Sequence, residues 1–206
     1  MTNILFKLIQ AILFPFRPLL SNYHLLLFKV SSKKMIDGIQ LLSLRNNTVF
    51  FSHTEEALSL IEEFDARRYS RIKRHLPIIA HVEQGYNYYN AKAKAFYVED
   101  FFPSDVGFYA ASIIHEATHA YLDSRKIPYT KEARQRHEIL CTKEQYRFIC
   151  NLIKINEDLS SEEKQNYINR YTRWFDEQIE SKWWESNERE MRSIQLKKIK
   201  DLLSGV

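Results

Sequence analysis

The chain has 206 residues, of which 45% are hydrophobic and 14% aromatic, so one domain with additions at its ends can bury a core. The 30 basic and 26 acidic side chains give a net charge of +4 and are spread along the chain, so a specific nucleic-acid partner is not expected. Four glycines and five prolines are few turn formers, which favours a mainly helical protein.

The first element is a very apolar segment, residues 4–28. Five residues interrupt it, namely Lys7, Pro15, Arg17, Pro18 and His24. The remaining pieces are shorter than the roughly 20 residues that span a bilayer, so a transmembrane helix is not expected. No small-residue cleavage site follows a compact apolar core, so a secretory signal also fits poorly. Two interpretations stay open: short helices that cover the core, or an interfacial anchor beside the Ser-Ser-Lys-Lys run.

Residues 36–53 mix short apolar runs with an Asp-Gly and an Asn-Asn pair. This pattern predicts one or two edge strands of a small sheet, joined by a turn near the Asn46–Asn47 pair. A helix is then predicted to begin at Glu55, with Ser52 or Thr54 as its N-cap.

Residues 67–74 contain five basic side chains among eight. Such an octamer either binds phosphate or acidic lipid, or forms the solvated face of a helix.

The apolar run within residues 76–84 predicts a strand. In residues 91–102 lysines alternate with small side chains, which suits the exposed side of an edge strand. A helix capped by Ser104 or Asp105 is predicted to follow over residues 105–123.

The C-terminal half is predicted to be helical. A long helix begins at Thr130, and its two cysteines, Cys141 and Cys150, lie about 13 Å apart along the axis, beyond disulfide reach. They are expected to be reduced, buried thiols in a cytosolic protein. Further on, a capping box from Ser160 to Glu163 opens a charged amphipathic helix.

The sequence ASIIHEATHAYL, residues 111–122, places two histidines, one glutamate and one threonine in an otherwise apolar run that is predicted to be helical. His115 and His119 are four residues apart, so both imidazoles can bind one ion from the same helix face. Glu116 is rotated about 100° from His115, which puts a carboxylate beside the ion. This HExxH spacing is typical of a zinc site in which the glutamate takes a proton from the metal-bound water.

Two other interpretations of the motif stay open. The histidines can be hydrogen-bonded core residues, with Glu116 paired to an arginine. The same residues can also hold iron or manganese through an ExxH pair, although the chain lacks the second pair that ferritin-like bundles use.

Glu138 is the preferred third ligand, because it heads the inward stripe of the helix that begins at Thr130. The other members of that stripe are Cys141, Gln145, Phe148, Ile149 and Leu152. Glu144 is rotated about 120° away from it. Asp123 lies one turn beyond His119, where it supports the ligands or ends the helix, and it is the runner-up ligand. Three roles stay open for His137: third ligand in place of Glu138, hydrogen-bond donor to the transition state, or exposed surface residue.

The two sequences IIHEATHAYL and RHEILC resemble the zincin metallopeptidases, more narrowly the gluzincins, and a group of uncharacterised bacterial proteins regarded as zinc peptidases. The resemblance covers residues 111–150. It implies that His115, His119 and Glu138 bind zinc and that Glu116 is the catalytic base. It also implies a small sheet before the active-site helix, with an edge strand at residues 93–99 that pairs with an extended peptide.

The residue that stabilises the oxyanion is left open. His137, Tyr129 and Tyr146 are the candidates. Arg134 and Arg136 can pair with Glu138 or with a substrate carboxylate, or can lie on the surface.

These observations predict an α+β, helix-dominated, zincin-like domain over residues 35–156, between an apolar segment (1–34) and a helical extension (157–206). The predicted function is a zinc-dependent peptidase acting on peptides or proteins. One alternative is a non-catalytic, metal-stabilised binding protein that contacts membranes through residues 1–30. The other is a helical interaction protein without a metal.

Overall fold

The computed structural model describes residues 31–43, 46–82, 87–99 and 105–180. Within these ranges the protein is an α+β fold of five helices and one five-stranded mixed sheet. The strands are β1 (Ser32–Ile36), β2 (Ile39–Ser43), β3 (Ile78–Val82), β4 (Tyr88–Asn90) and β5 (Ala95–Glu99). The helices are α1 (Thr48–Phe64), α2 (Ala66–His75), α3 (Val106–Ser124), α4 (Lys131–Ile155) and α5 (Ser161–Glu180).

The hairpin between β1 and β2 turns at the Asp-Gly pair, so the predicted turn at the Asn46–Asn47 pair is wrong. Asp37 and Gly38 have φ values of 48° and 86°, and positive φ at both central residues is what a tight two-residue hairpin requires. Glycine adopts this conformation without strain at the second position.

Helix α1 begins earlier than predicted, because Asn47 caps it. The Asn47 side chain accepts a hydrogen bond from the backbone N–H of Phe50. Ser52 and Thr54 therefore lie inside the helix, and Thr54 donates its hydroxyl to a carbonyl one turn back. The prediction that one of them is the cap is wrong.

The sheet has the strand order β1-β2-β3-β5-β4. Strand β5 runs parallel to β3 on one side and antiparallel to β4 on the other, so the prediction of an edge strand at residues 93–99 is wrong. Lys92 and Lys94 lie in the turn that joins β4 to β5, and Lys94 has a φ of 48°. Their alternation therefore reflects a turn and not a solvent-facing strand. The strand predicted at residues 76–84 is confirmed as β3.

One face of the sheet packs against the helices. Its buried side chains alternate along β2, β3 and β5, as the period of two in a strand requires: Ile39, Leu41, Ile79, Phe96 and Val98. Helix α3 is apolar on most sides and packs between α1, α2, α4 and strands β4 and β5. Asp105 caps it by accepting from the N–H of Phe108, which confirms the predicted helix start.

Helices α3 and α4 lie antiparallel, and this arrangement positions the candidate site. Thr130 caps α4 as predicted, through its hydroxyl oxygen and the N–H of Ala133. Near the start of α3, Gly107 leaves room for Leu152, since an added Cβ would stand only 3.0 Å from that side chain. Further along, His115 faces Gln145, and His119 faces Glu138.

Two arginines of the basic octamer join α2 to α4. Nη2 of Arg68 lies 2.9 Å from Oε2 of Glu144, and Nη1 of Arg71 lies 3.5 Å from the same oxygen. Arg68 also pairs with Asp65, the cap of α2. The side chains of Arg68 and Glu144 are 14% and 13% exposed, so this part of the octamer is neither a solvated face nor free to bind lipid.

Helix α5 begins at the capping box that the sequence predicts. The capping box is confirmed, because Glu163 accepts from the backbone N–H of Ser160 and donates its own N–H to the Ser160 hydroxyl. Residues 1–30, including the predicted interfacial anchor, lie outside the described residues. None of the helices in the described ranges combines the length and apolar character that a membrane crossing requires. Both cysteines are free thiols.

Candidate metal centre

The two histidines of the HExxH motif project from the same side of α3. Their ring centroids are 5.1 Å apart and the ring planes are inclined by 58°. Both side chains are mostly buried, His115 being 12% and His119 13% exposed. The four-residue spacing on a helix is the direct cause of this arrangement.

Glu138 of α4 faces both imidazoles with one oxygen. Its Oε2 lies 3.4 Å from Nε2 of His115 and 3.4 Å from Nε2 of His119. The same oxygen is buried and makes no hydrogen bond of normal geometry within the described chain. Two donors bound to one zinc at 2.0–2.1 Å in a tetrahedron are separated by about 3.3–3.4 Å, so both distances fit a shared cation.

Gln145 determines which nitrogen of His115 faces the carboxylate. Its Oε1 lies 3.2 Å from Nδ1 of His115. An amide oxygen only accepts, so Nδ1 carries a proton and Nε2 is the nitrogen that faces Glu138. Nε2 and the carboxylate need a cation between them, either a proton on the ring or a metal ion.

The pKa of Glu138 depends strongly on His115 and His119, and the pKa of His115 depends on Glu138 in turn. Burial alone would raise the pKa of Glu138, but the facing imidazoles of His115 and His119 hold it well below its usual range. Burial alone would lower the pKa of His115, yet Glu138 and the charge of Glu116 raise it above its ordinary value. Glu138 is therefore ionised at neutral pH and available as a ligand.

Glu116 lies beside the first histidine and is 8% exposed. Its Oε2 is buried without a hydrogen-bond partner in the part of the chain that the structure describes. A buried carboxylate oxygen without a partner is costly, so such a group in a native protein needs a functional or ligand-based reason. Its position next to a ligand suits a group that exchanges protons with a metal-bound water.

Tyr129 lies in the connection between α3 and α4 and reaches back to the cluster. Its hydroxyl donates a short hydrogen bond to Oε1 of Glu138, which leaves Oε2 facing the histidines. Burial and the bond to Glu138 raise the pKa of Tyr129, so it stays protonated. The ring packs edge-on against His119, with centroids 5.6 Å apart, and the Arg134 guanidinium lies over it.

His137 is buried rather than exposed, at 5% of its surface. Its Nε2 has no hydrogen-bond partner among the described residues, and its ring lies 5.5 Å from that of Tyr129. Burial, followed by the charges of His119 and Arg136, lowers the pKa of His137. A neutral imidazole is therefore held at the edge of the cluster.

Cys141 and the two histidines form a second donor set, the one set in the described chain whose three ligand atoms all lie within 4.8 Å of one another; Glu138 is not a member of it. These atoms are the Sγ of Cys141 and one ring nitrogen from each of His115 and His119. The thiol is fully buried. The sequence predicts Cys141 on the stripe of Glu138 as a buried core thiol, and no local pattern indicates its proximity to the histidines of α3.

The remaining candidates lie elsewhere. Asp123 accepts a hydrogen bond from the Tyr89 hydroxyl at 3.0 Å, which links α3 to β4. Tyr146 shares a hydrogen bond of 2.7 Å with Thr172 of α5, so it contacts the C-terminal helix. Arg136 is exposed.

Comparisons with known proteins add no identification. No protein-family model, no curated protein and no solved structure matches this chain.

Proposed function

We propose that this protein is a zinc-dependent metallopeptidase of the zincin type, with His115, His119 and Glu138 as metal ligands. The observation that carries the proposal is the position of Glu138 Oε2, 3.4 Å from Nε2 of both histidines and without a hydrogen bond in the described chain. Three convergent protein donors leave one position open, as catalytic zinc sites do. The mixed sheet that precedes α3 is consistent with this class.

Zinc bound here supplies a Lewis acid and a water of lowered pKa. With zinc held there, Glu116 would be the group that takes a proton from the attacking water, through the carboxylate oxygen that lacks a partner in the described chain, and passes it to the leaving amine. Tyr129 holds the other oxygen of Glu138 and thereby orients the ligand. Of the candidates for an oxyanion donor, His137 is the one whose buried ring nitrogen Nε2 has no partner in the described chain.

A second candidate function is a non-catalytic protein that the metal stabilises. Cys141 favours it, since a fourth protein donor gives the closed coordination of a structural zinc site. In that case, metal removal unfolds the protein and no hydrolysis accompanies metal binding.

The first test is the metal content of the purified full chain. We expect one zinc per chain in the natural protein and loss of zinc in His115→Ala. His75→Ala is the matched control, because His75 is a half-buried helical histidine that packs against Tyr121. Absence of bound metal from the natural protein after incubation with zinc would eliminate both candidate functions.

The second test separates the two functions. Glu116→Gln should keep its zinc and lose hydrolysis of a quenched-fluorescence peptide library by about 10²–10⁴-fold, the usual contribution of a general base. Glu63→Gln, an exposed position on α1, is the control and should match the natural protein. If the natural protein binds zinc and releases no peptide, the structural alternative is favoured.

A further inference from the structure

The thiol of Cys141 is the chemically reactive group nearest the candidate site that the proposed mechanism leaves unused. Cys141 lies one helical turn beyond Glu138 on α4 and is fully buried. Its sulfur and a nitrogen of each histidine lie within 4.8 Å of one another. The histidines therefore face two donors of different chemistry from one helix, a carboxylate and a thiol.

The distances between Cys141 Sγ and the nitrogens of His115 and His119 are close to those between ligands of one zinc ion. Zinc binds sulfur at about 2.3 Å and imidazole nitrogen at 2.0–2.1 Å, which separates the two donors by about 3.5–3.6 Å in a tetrahedron. No separation in the set exceeds 4.8 Å, so an approach of about 1.3 Å or less brings sulfur and nitrogen to coordinated distances, and about 1.5 Å or less does so for the two nitrogens.

The other cysteine gives an internal comparison. Cys150 is also buried on α4, but it is not part of the donor set, and it neighbours Tyr146 on the side that contacts α5. Proximity to two histidines therefore distinguishes Cys141 from an ordinary core thiol of the same helix.

We propose that Cys141 is an alternative fourth ligand, which closes the coordination position that the hydrolytic water needs and so holds the enzyme inactive. This inference rests on the proposed function, in which His115, His119 and Glu138 hold the metal. On closure Cys141 would give up its thiol proton, its sulfur would replace the water as the fourth ligand, and the water molecule and the proton would leave to solvent. On opening these changes are reversed, and no oxidant or reductant is involved.

Cobalt(II) tests the inference by spectroscopy, because a thiolate bound to cobalt adds a charge-transfer band in the near ultraviolet, whereas imidazole and carboxylate ligands do not. The full-length natural protein, stripped of metal and loaded with cobalt, should show this band. Cys150→Ser should retain it, and Cys141→Ser should lose it while still binding cobalt. A cadmium titration should show affinity about tenfold or more weaker in Cys141→Ser than in Cys150→Ser.

The outcomes separate this inference from the function on which it rests. Cobalt binding that depends on His115 but gives no thiolate band would overturn the role of Cys141 and leave the metal site intact. A band that persists in Cys141→Ser would also overturn it. No cobalt binding at all would overturn both proposals. The thiolate band is measured first in the natural protein. Its absence there overturns the role of Cys141 even if the Cys141→Ser variant does not fold.

Discussion

Gln145 and His115 meet across the α3–α4 interface, with Oε1 of the amide 3.2 Å from Nδ1 of the imidazole. This contact directs Nε2 of His115 toward Glu138, and it also joins the two helices that carry the proposed ligands. A residue outside the HExxH motif thus controls the chemistry of a residue inside it.

We predict that Gln145→Leu weakens zinc binding by about 10–100-fold, because His115 loses the acceptor that fixes its tautomer. Competition with a chromophoric chelator measures the affinity. Gln135→Leu is the control, since Gln135 is exposed on the same helix. Equal affinities in the two variants would show that the contact does not orient the ligand.

We predict that Tyr129→Phe lowers zinc affinity by about tenfold, because Glu138 loses the hydrogen bond that turns Oε2 toward the histidines. Tyr167→Phe, an exposed tyrosine on α5, should have no effect. Affinity and peptide hydrolysis are measured on the same samples. If affinity is unchanged and only turnover falls, Tyr129 donates to the substrate instead of positioning the ligand.

Local patterns predicted the helices around the site well. Asp105 and Thr130 cap α3 and α4 as the sequence indicated, because capping depends on residues three positions apart. The α+β class also followed, since apolar strand-like runs precede long periodic helices.

The predictions that were wrong depend on strand pairing and helix packing, and a local sequence pattern carries no information about either. Both Asp37-Gly38 and Asn46-Asn47 favour turns, and only the pairing of β1 with β2 selects the first. Lys92 and Lys94 alternate in a turn as they would on an edge strand. The proximity of Cys141 to His115 depends on the antiparallel packing of α3 and α4, which spacing along one helix does not reveal.

Gly38→Ala should lower the free energy of unfolding by about 1 kcal/mol, because a Cβ at φ 86° is strained. Apart from the adjacent residues, no heavy atom of the described chain lies within 4 Å of the added Cβ, so the cost comes from the backbone and not from a clash. Urea denaturation measures the change, and zinc content should remain that of the natural protein. A neutral result would mean that the hairpin relaxes to another turn.

Glu144 should make stability depend on pH. Burial would raise the pKa of Glu144, but Arg68, Arg147 and Arg71 hold it below its usual range. A carboxyl group with a depressed folded-state pKa binds fewer protons folded than unfolded. Its stabilisation is therefore present above its unfolded pKa of about 4.5 and is lost as pH falls below that value.

We accordingly predict that Glu144→Gln lowers the free energy of unfolding by about 1–3 kcal/mol at neutral pH, since Arg68 loses a mostly buried partner. The difference from the natural protein should shrink as pH falls through the acid range. Urea denaturation across that range measures it, and Glu62→Gln, an exposed position on α1, controls for loss of one negative charge. A difference that stays constant with pH would mean that Glu144 contributes packing and not charge.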